Sequence, residues 1–391
     1  MGANRTSVAV VGAGPAGLTV ANLLQSAGIG TVVVETETRE FIEQRPRAGF
    51  IEEWVVRALE ENGLANRLLD SAQRHDSFEF RYRGQRHLVP FTDLVGQHHF
   101  VYPQQELVTD LAAAYAGDAR FGATDVRLHD LESDHPSVTY RSAEGTAERI
   151  DCDFVAGCDG ARGVTRGYLP PESTLVAQHD YGFGWLALLA QAPPSAERVV
   201  FGIHPRGFAA HMARTPTVTR YYLQTDLADT AEDWPDERVW RELHTRLAVP
   251  DSPVAEGPLI EKRVLDMHNY VTEPMSHGRL YLAGESAHLV APIAAKGMNL
   301  AIHDALLLVR GLRDWYAGAP ETLARYSADC LPRVWQYQEF SLWLSEVFHH
   351  TPASTDPFLA RVAEARLRRL LGSPTVATAF ADMFTGKDAD F

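Results

Sequence analysis

Cysteine is scarce, with Cys152, Cys158 and Cys330 the only three in 391 residues. They cannot build a disulfide framework, and none stands at C-x-x-C spacing, which excludes a stapled secreted scaffold and a redox-active pair. Lys and Arg never run in blocks, and the net charge is −15. A surface of that sign repels polyphosphate and argues against a nucleic-acid partner. No window approaches the roughly 18 consecutive apolar residues of a membrane span. The first apolar run, Val8 to Val11, meets a glycine turn, unlike the layout of a secretory signal. Internal repeats and low-complexity stretches are missing too, and no metal centre is expected. These absences predict a soluble cytoplasmic protein in a reducing compartment. What the chain does have is 45% apolar residues, enough for a sizeable core, and a length that suits two or three units at ~150 residues each.

The chain opens as strand, glycine turn, helix, strand. Val8 to Val11 is a short apolar run typical of a strand covered on both faces. Leu18, Val20, Ala21, Leu23 and Leu24 then recur at helical spacing over Pro15 to Ala27, and Thr31 to Val34 is a second, β-branched strand. Residues from about 175 to 270 read as a mostly antiparallel sheet, with β-rich segments at Arg198–Phe201 and Arg220–Gln224 between Pro and Gly turns. Helical periodicity returns over 299–316 and 321–349. Trp335, Trp343 and Phe348 on the last segment are expected to be buried, the alternative being an exposed dimer surface. The predicted fold class is α/β plus α+β, an α/β unit interrupted by a β-rich one and followed by C-terminal helices.

Gly12-Ala-Gly14-Pro-Ala-Gly17 is a G-x-G-x-x-G motif between a strand and a helix. In such a motif the first glycine permits the tight turn, the second lets backbone approach a pyrophosphate, and the third lets helix and strand pack closely. The helix N-terminus offers free N–H groups and partial positive charge to phosphates. Glu35 ends the second strand, where a carboxylate can accept hydrogen bonds from ribose hydroxyls. Strand, helix, second strand and terminal acid together predict a dinucleotide site.

Two distant segments choose between FAD and NAD. Cys158-Asp159-Gly160-Ala-Arg162-Gly163 follows a strand-like Asp153 to Gly157, and Gly284-Glu285 follows Leu280 to Ala283. With the glycine motif, their order resembles the flavoprotein aromatic monooxygenases, and so implies FAD. In that class the third segment usually carries aspartate. Glu285 keeps the acceptor but changes its reach.

The resemblance narrows to the para-hydroxybenzoate hydroxylase family through Arg47-Ala-Gly49, Cys152 to Gly160, Phe183-Gly-Trp185, His204 to Phe208, Arg220-Tyr-Tyr222, Glu273 to Arg279 and Ala295 to Ala301. It implies an FAD-binding domain from 1–70, 96–175 and 270–320, a β-rich substrate domain from 71–95 and 176–269, and a helical region 321–391 as possible dimer interface. It further implies a homodimer that adds one oxygen atom of O2 beside the para group of a small aromatic acid. A flavin C4a-hydroperoxide is the oxygen donor, shielded from water, and NADH or NADPH supplies the electrons. Arg214 matches the arginine for the substrate carboxylate, a suitable fork for that anion, and Tyr222 a tyrosine that reaches the same group. Arg220, Arg47, Gln104, Pro292 and Asn299 match positions around the flavin and the para substituent.

Three positions depart from the family. A tyrosine that receives the phenol proton falls on Phe201, a second that passes it onward on Phe384, and a carboxylate-binding serine on Met212; the histidine ending the relay is retained as His75. A phenol with a pKa near ~10 needs a hydrogen-bonded acceptor to ionise at neutral pH, and phenylalanine provides none. A neutral arylamine is already electron-rich, so 4-aminobenzoate is the expected substrate. The alternatives are 4-hydroxybenzoate, with water or His211 completing the relay, and 3,4-dihydroxybenzoate. Met212 leaves the carboxylate to Arg214 and Tyr222, or else is a core methionine.

After the second strand, Glu37 and Glu40 would repel a 2′-phosphate while Arg39 partly offsets them, and a further basic family position appears as His268. NADH is therefore expected to be preferred or accepted. A disulfide reductase is excluded by the cysteine spacing. A flavin reductase acting without oxygen and a non-enzymatic FAD-binding protein are the competing classes.

Overall fold

The computed structural model describes residues 4–45, 49–349 and 356–386. Two sheets organise it. The first has six strands in the order Ser276–His277, Leu280–Leu282, Phe154–Gly157, Val8–Val11, Thr31–Val34 and Asp118–Arg120. All neighbours are parallel except the first pair. Val8 to Val11 is completely buried, as its uninterrupted apolar sequence requires. The Pro15–Ser26 helix starts where Pro15 fits the first helical turn. It packs against the Gly297–Tyr316 helix. Each fully buried Val or Leu in this core contributes about 1.5–3 kcal/mol.

The second sheet has eight strands in the order His288–Leu289, Leu259–Glu273, Leu175–Ala190, Val218–Asp226, Ala209–Thr215, Val199–Ile203, Phe78–Tyr82 and Gln85–Val89. It is antiparallel, as expected from 175 to 270, except where Val199–Ile203 runs parallel to Phe78–Tyr82. The Asp236–Arg246 helix, which β-propensity alone does not announce, covers one face.

Period-two alternation gives the sheet two distinct faces. Phe80, Phe201, Ala210 and Tyr222 are paired across adjacent strands and share one face, with Met212 opposite Arg220 in the next row. Their immediate neighbours Val200, Ala209, His211, Tyr221 and Leu223 turn to the other face. Most of these pack with Val239, Trp240 and Leu243 of the covering helix. The first face meets the C-terminal helices Tyr326–Phe348, Pro357–Gly372 and Pro374–Thr385. Of the three aromatics expected to be buried on the first of these, Phe348 is buried and Trp343 half-buried. Trp335 is 41% exposed, its indole N–H donating to Glu273 at the surface. Among the described residues no helix is long and apolar enough to cross a membrane.

Candidate cofactor cavity and substrate face

A cavity of about 870 Å3 opens beside the C-terminal ends of the parallel strands, within the roughly 300–1,000 Å3 of small-molecule and cofactor sites. All three predicted segments line it: Gly12 to Pro15 with Glu35; Asp159, Gly160, Arg162 and Gly163; and Gly284 with Glu285. Gln104 lines it too, as do Gly297 and Met298 at the start of the Gly297–Tyr316 helix. The partly positive ends of two helices thus converge on it.

The glycines divide their work. Gly12 has φ +106°, and a Cβ there would lie 2.3 Å from the Cys158 carbonyl oxygen; a Cβ on Gly17 would lie 2.0 Å from the Gly12 carbonyl oxygen. Both are required by packing within the protein. At Gly14 a Cβ would meet nothing within 4 Å, so its absence leaves room in the cavity itself. The Ala13 N–H donates to Glu35 Oε2 at 2.6 Å, and the Glu37 N–H to Glu35 Oε1 at 2.8 Å. These bonds fix the carboxylate at the glycine turn. Asp159 accepts from the Thr165 N–H and hydroxyl at 2.9 and 2.5 Å. Burial pushes its pKa up against those bonds. A Cβ built on Gly160 would lie 4.0 Å from Glu285 Oε2, so the second and third segments face each other. Asn299 is used inside the protein: Oδ1 accepts from the Glu52 N–H at 3.0 Å, and Nδ2 donates to the Phe50 and Ala295 carbonyls at 3.1 Å. Gly297, Met298 and Ala301 of its helix line the cavity instead. Arg47 lies outside the described residues.

The second group lies on the sheet face against the C-terminal helices. Arg214 sits at a bulge between Ala213 and Thr215. Burial, then the neighbouring Arg220, lowers its pKa, though a guanidinium stays charged near neutrality. Arg220 is buried and paired with Glu261 at 3.2 Å. Tyr222 packs on Trp185, ring centroids 4.9 Å apart. Two cations and a phenol therefore stand at one end of this face, a suitable receptor for a carboxylate.

The other end is mostly phenyl, with the His99 ring 5.0 Å from Phe384. Phe78 packs on Phe201 (centroids 5.5 Å apart) and on Phe384 (4.3 Å). Phe80 and Phe348 close on Phe201, and Phe50, Phe340 and Phe380 on Phe384. Met212 is buried in the same cluster. Pro292 lies exposed in the turn whose Ala291, Ile293 and Ala294 join this cluster, just before the cavity-lining Gly297. His75 is buried, which lowers its pKa, and its Nε2 has no partner among the described residues.

His99, opposite His75 in a neighbouring strand pair, escaped the sequence reading. It is fully buried, so its pKa falls well below the usual value, and its Nε2–H donates to the Phe384 carbonyl at 3.1 Å. Lys296 also escaped. Its buried ammonium pairs with Glu52 and donates to the same carbonyl at 2.5 Å. The adjacent His98-His99 and the isolated lysine of Ala295-Lys296-Gly297 were the only signals, and neither declares a partner. His211, a candidate for completing the relay, is on the opposite face, where its Nε2 accepts the Ser195 N–H at 3.0 Å. That route is closed by strand register.

A family model described as an FAD binding domain matches residues 5–341. The chain is 38% identical to p-hydroxybenzoate hydroxylase of Acinetobacter baylyi over 389 residues, covering 98% of this chain and 95% of the relative. The chain belongs to the para-hydroxybenzoate hydroxylase family of flavoprotein aromatic monooxygenases. A probable NADH-specific resorcinol 4-hydroxylase of Rhodococcus jostii is 27% identical, with 88% of this chain and 66% of the relative covered. Among solved structures, p-nitrophenol 4-monooxygenase PnpA from Pseudomonas putida shares the fold, with a TM-score of 0.82 at 20% identity over 98% of this chain and all of that one. As a member of this family the protein is an FAD- and O2-dependent aromatic hydroxylase with a nicotinamide electron donor. The cavity fits FAD: it is open at Gly14, bordered by carboxylates at both ends, and large enough for a dinucleotide.

Proposed function

We propose that this enzyme hydroxylates a para-substituted benzoate beside its para group, and that 4-aminobenzoate or a close amino analogue is the preferred substrate. Bound FAD supplies activated oxygen, of which one atom enters the ring and the other leaves as water. In this reading the Gly12–Pro15 turn holds the pyrophosphate, Glu35 the ribose, and Gln104, Asp159, Glu285 and the Asn299 helix the rest of the cofactor. Arg214 and Tyr222 hold the substrate carboxylate, with Arg220 and Met212 alongside, and Pro292 borders the reacting carbon. The domain division at 70, 95, 175, 269 and 320, the homodimer through the C-terminal helices and the cytoplasmic location belong to the same proposal.

The observation that carries the substrate choice is the Phe78 ring packed against both Phe201 and Phe384. The two positions that would carry relay hydroxyls are joined by hydrocarbon. Burying an unpaired neutral polar group costs roughly 2–7 kcal/mol, and burying an unpaired anion far more. A phenolate is therefore penalised here much more heavily than an amine, which needs no deprotonation to be electron-rich. Initial rates with 4-aminobenzoate, 4-hydroxybenzoate and 3,4-dihydroxybenzoate, each with product measured against peroxide, test this. The amine is expected to give the highest coupled kcat/KM. Coupled turnover confined to 4-hydroxybenzoate sinks the proposal.

NADH is the proposed donor. Arg39, which could partly offset Glu37 and Glu40, is paired with Glu43 at 2.7 Å. The expected outcome is a kcat/KM for NADH at least equal to that for NADPH. A strong preference for NADPH rejects it.

A further inference from the structure

Gly284, Glu285 and His288 belong to one segment, a loop that runs from the Leu280–Leu282 strand into the short His288–Leu289 strand. Behind it, on the Gly297–Tyr316 helix, lies Asp304, completely buried. Its Oδ2 accepts the Gly284 N–H at 2.8 Å and bonds His288 Nε2 at 2.7 Å. One carboxylate oxygen thus grips the loop at two points four residues apart, with Glu285 between them facing the cavity. His303, Asp304 and Cys330 bring potential ligand atoms within 4.8 Å of one another. With Oδ2 already engaged by the loop, the group reads as an anchor. Burial pushes the Asp304 carboxyl up, but His288 beside it prevails and holds it at about 2, so it is ionised at neutral pH.

The same loop is fastened elsewhere. The Ser286 hydroxyl donates to the Gly157 carbonyl at 2.5 Å, tying it to the strand that leads into Asp159. Tyr326 donates to the Leu282 carbonyl at 2.7 Å. A Cβ on Gly284, where φ is +69°, would lie 3.2 and 3.3 Å from the Cβ atoms of Ala301 and Ala16. The loop cannot drift toward the helices, and Asp304 stops it drifting away.

We infer that Asp304 and His288 are a positioning pair that fixes the Glu285 loop for FAD, touching no cofactor themselves. Both partners donate to the single oxygen Oδ2, so an asparagine with its amide oxygen in that place keeps both acceptors and loses the charge that strengthens the two bonds. The inference rests on FAD occupying this cavity, which family membership supplies.

Dilution of the holoenzyme, read by the fluorescence of released FAD, measures the dissociation constant. Hydrogen bonds to charged groups are strong enough that Asp304→Asn is expected to weaken FAD binding on the order of 10-fold or more. His288→Leu, which deletes the donor, should weaken it on the order of 10-fold as well. His288→Gln, whose amide N–H can stand in for Nε2–H, should recover most of the affinity. Cys330→Ala lies against Asp304 but holds no part of the loop. It should lower the melting temperature and leave the FAD dissociation constant unchanged. Should Asp304→Asn fail to fold, the two His288 variants decide alone. The inference is overturned if His288→Leu and His288→Gln bind FAD equally, or if Cys330→Ala releases FAD as readily as Asp304→Asn.

Discussion

The cofactor cavity and the phenyl-rich end of the proposed substrate face are built on different principles. Around the cavity, specificity comes from backbone and short polar contacts: Gly12 and Gly17 forced by close approach, Glu35 clamped by two amides, Asp159 held by Thr165. At the phenyl-rich end of the sheet face rings from Phe50 to Phe384 dominate, with the buried His99 and the Lys296 ammonium beside Phe384. A cavity defined by hydrogen bonds accepts one ligand and resists change. A pocket defined by apolar surface selects by shape and by what it refuses to solvate, so one hydroxyl gained or lost can redirect it.

The largest expected effect lies where this apolar face becomes polar. Arg214→Ala removes the cation that would meet the substrate carboxylate. Lost hydrogen bonds to a charged group cost roughly 1.5–3 kcal/mol, on the order of 100-fold in kcat/KM at the upper end. Competition binding with 4-aminobenzoate and with aniline separates this role from general damage. The variant should lose affinity for the acid and keep its weak affinity for aniline. Equal losses for both ligands would mean that Arg214 supports the fold and does not read the carboxylate.

A second effect, of comparable size, separates the two faces of the eight-stranded sheet. His211, on the face away from the C-terminal helices, is buried and held neutral, its pKa lowered to about 4 by burial and then by Arg81. The unfolded chain binds this proton near pH ~6.5, so between the two values unfolding takes up a proton. Stability is fully present above about 6.5 and is lost as pH falls toward 4, by roughly 3 kcal/mol over the window. His211→Gln keeps an acceptor for the Ser195 N–H and cannot titrate. Its urea unfolding midpoint should fall less steeply than the parent's between pH 7 and pH 4.5. Identical slopes would falsify the assignment.

The same comparison explains what the sequence could reveal. Gly12-x-Gly14-x-x-Gly17, Glu35 and the Val8–Val11 strand were legible because local backbone geometry demands those residue types at those spacings. The cavity's three segments were legible for the same reason, although they come together from the two ends and the middle of the chain. The proposed substrate face was suggested only by resemblance. Whether a residue points at substrate depends on register, and a one-residue shift exchanges the faces. Hence Phe201 and His211, both plausible relay positions in sequence, lie on opposite sides of the sheet. Phe78, which bridges Phe201 and Phe384, and His99, which holds the Phe384 carbonyl, are tertiary neighbours with no local signature.

The smallest expected effect returns to the cavity, at Glu285. Shortening it to aspartate restores the residue usual in the family, which suggests a gain. The surrounding bonds argue the other way. Tyr270 donates to the Glu285 carbonyl, and the Ser286 hydroxyl to the Gly157 and Ala283 carbonyls. With the backbone fixed on either side, the loop cannot advance to compensate for a lost methylene. One hydrogen bond is worth about 0.5–1.5 kcal/mol, so Glu285→Asp should weaken FAD binding by about 3-fold and Glu285→Ala by about 10-fold. Tighter binding by the aspartate variant would show that the loop adjusts to its side chain, and that this cavity is less rigid than its hydrogen bonds imply.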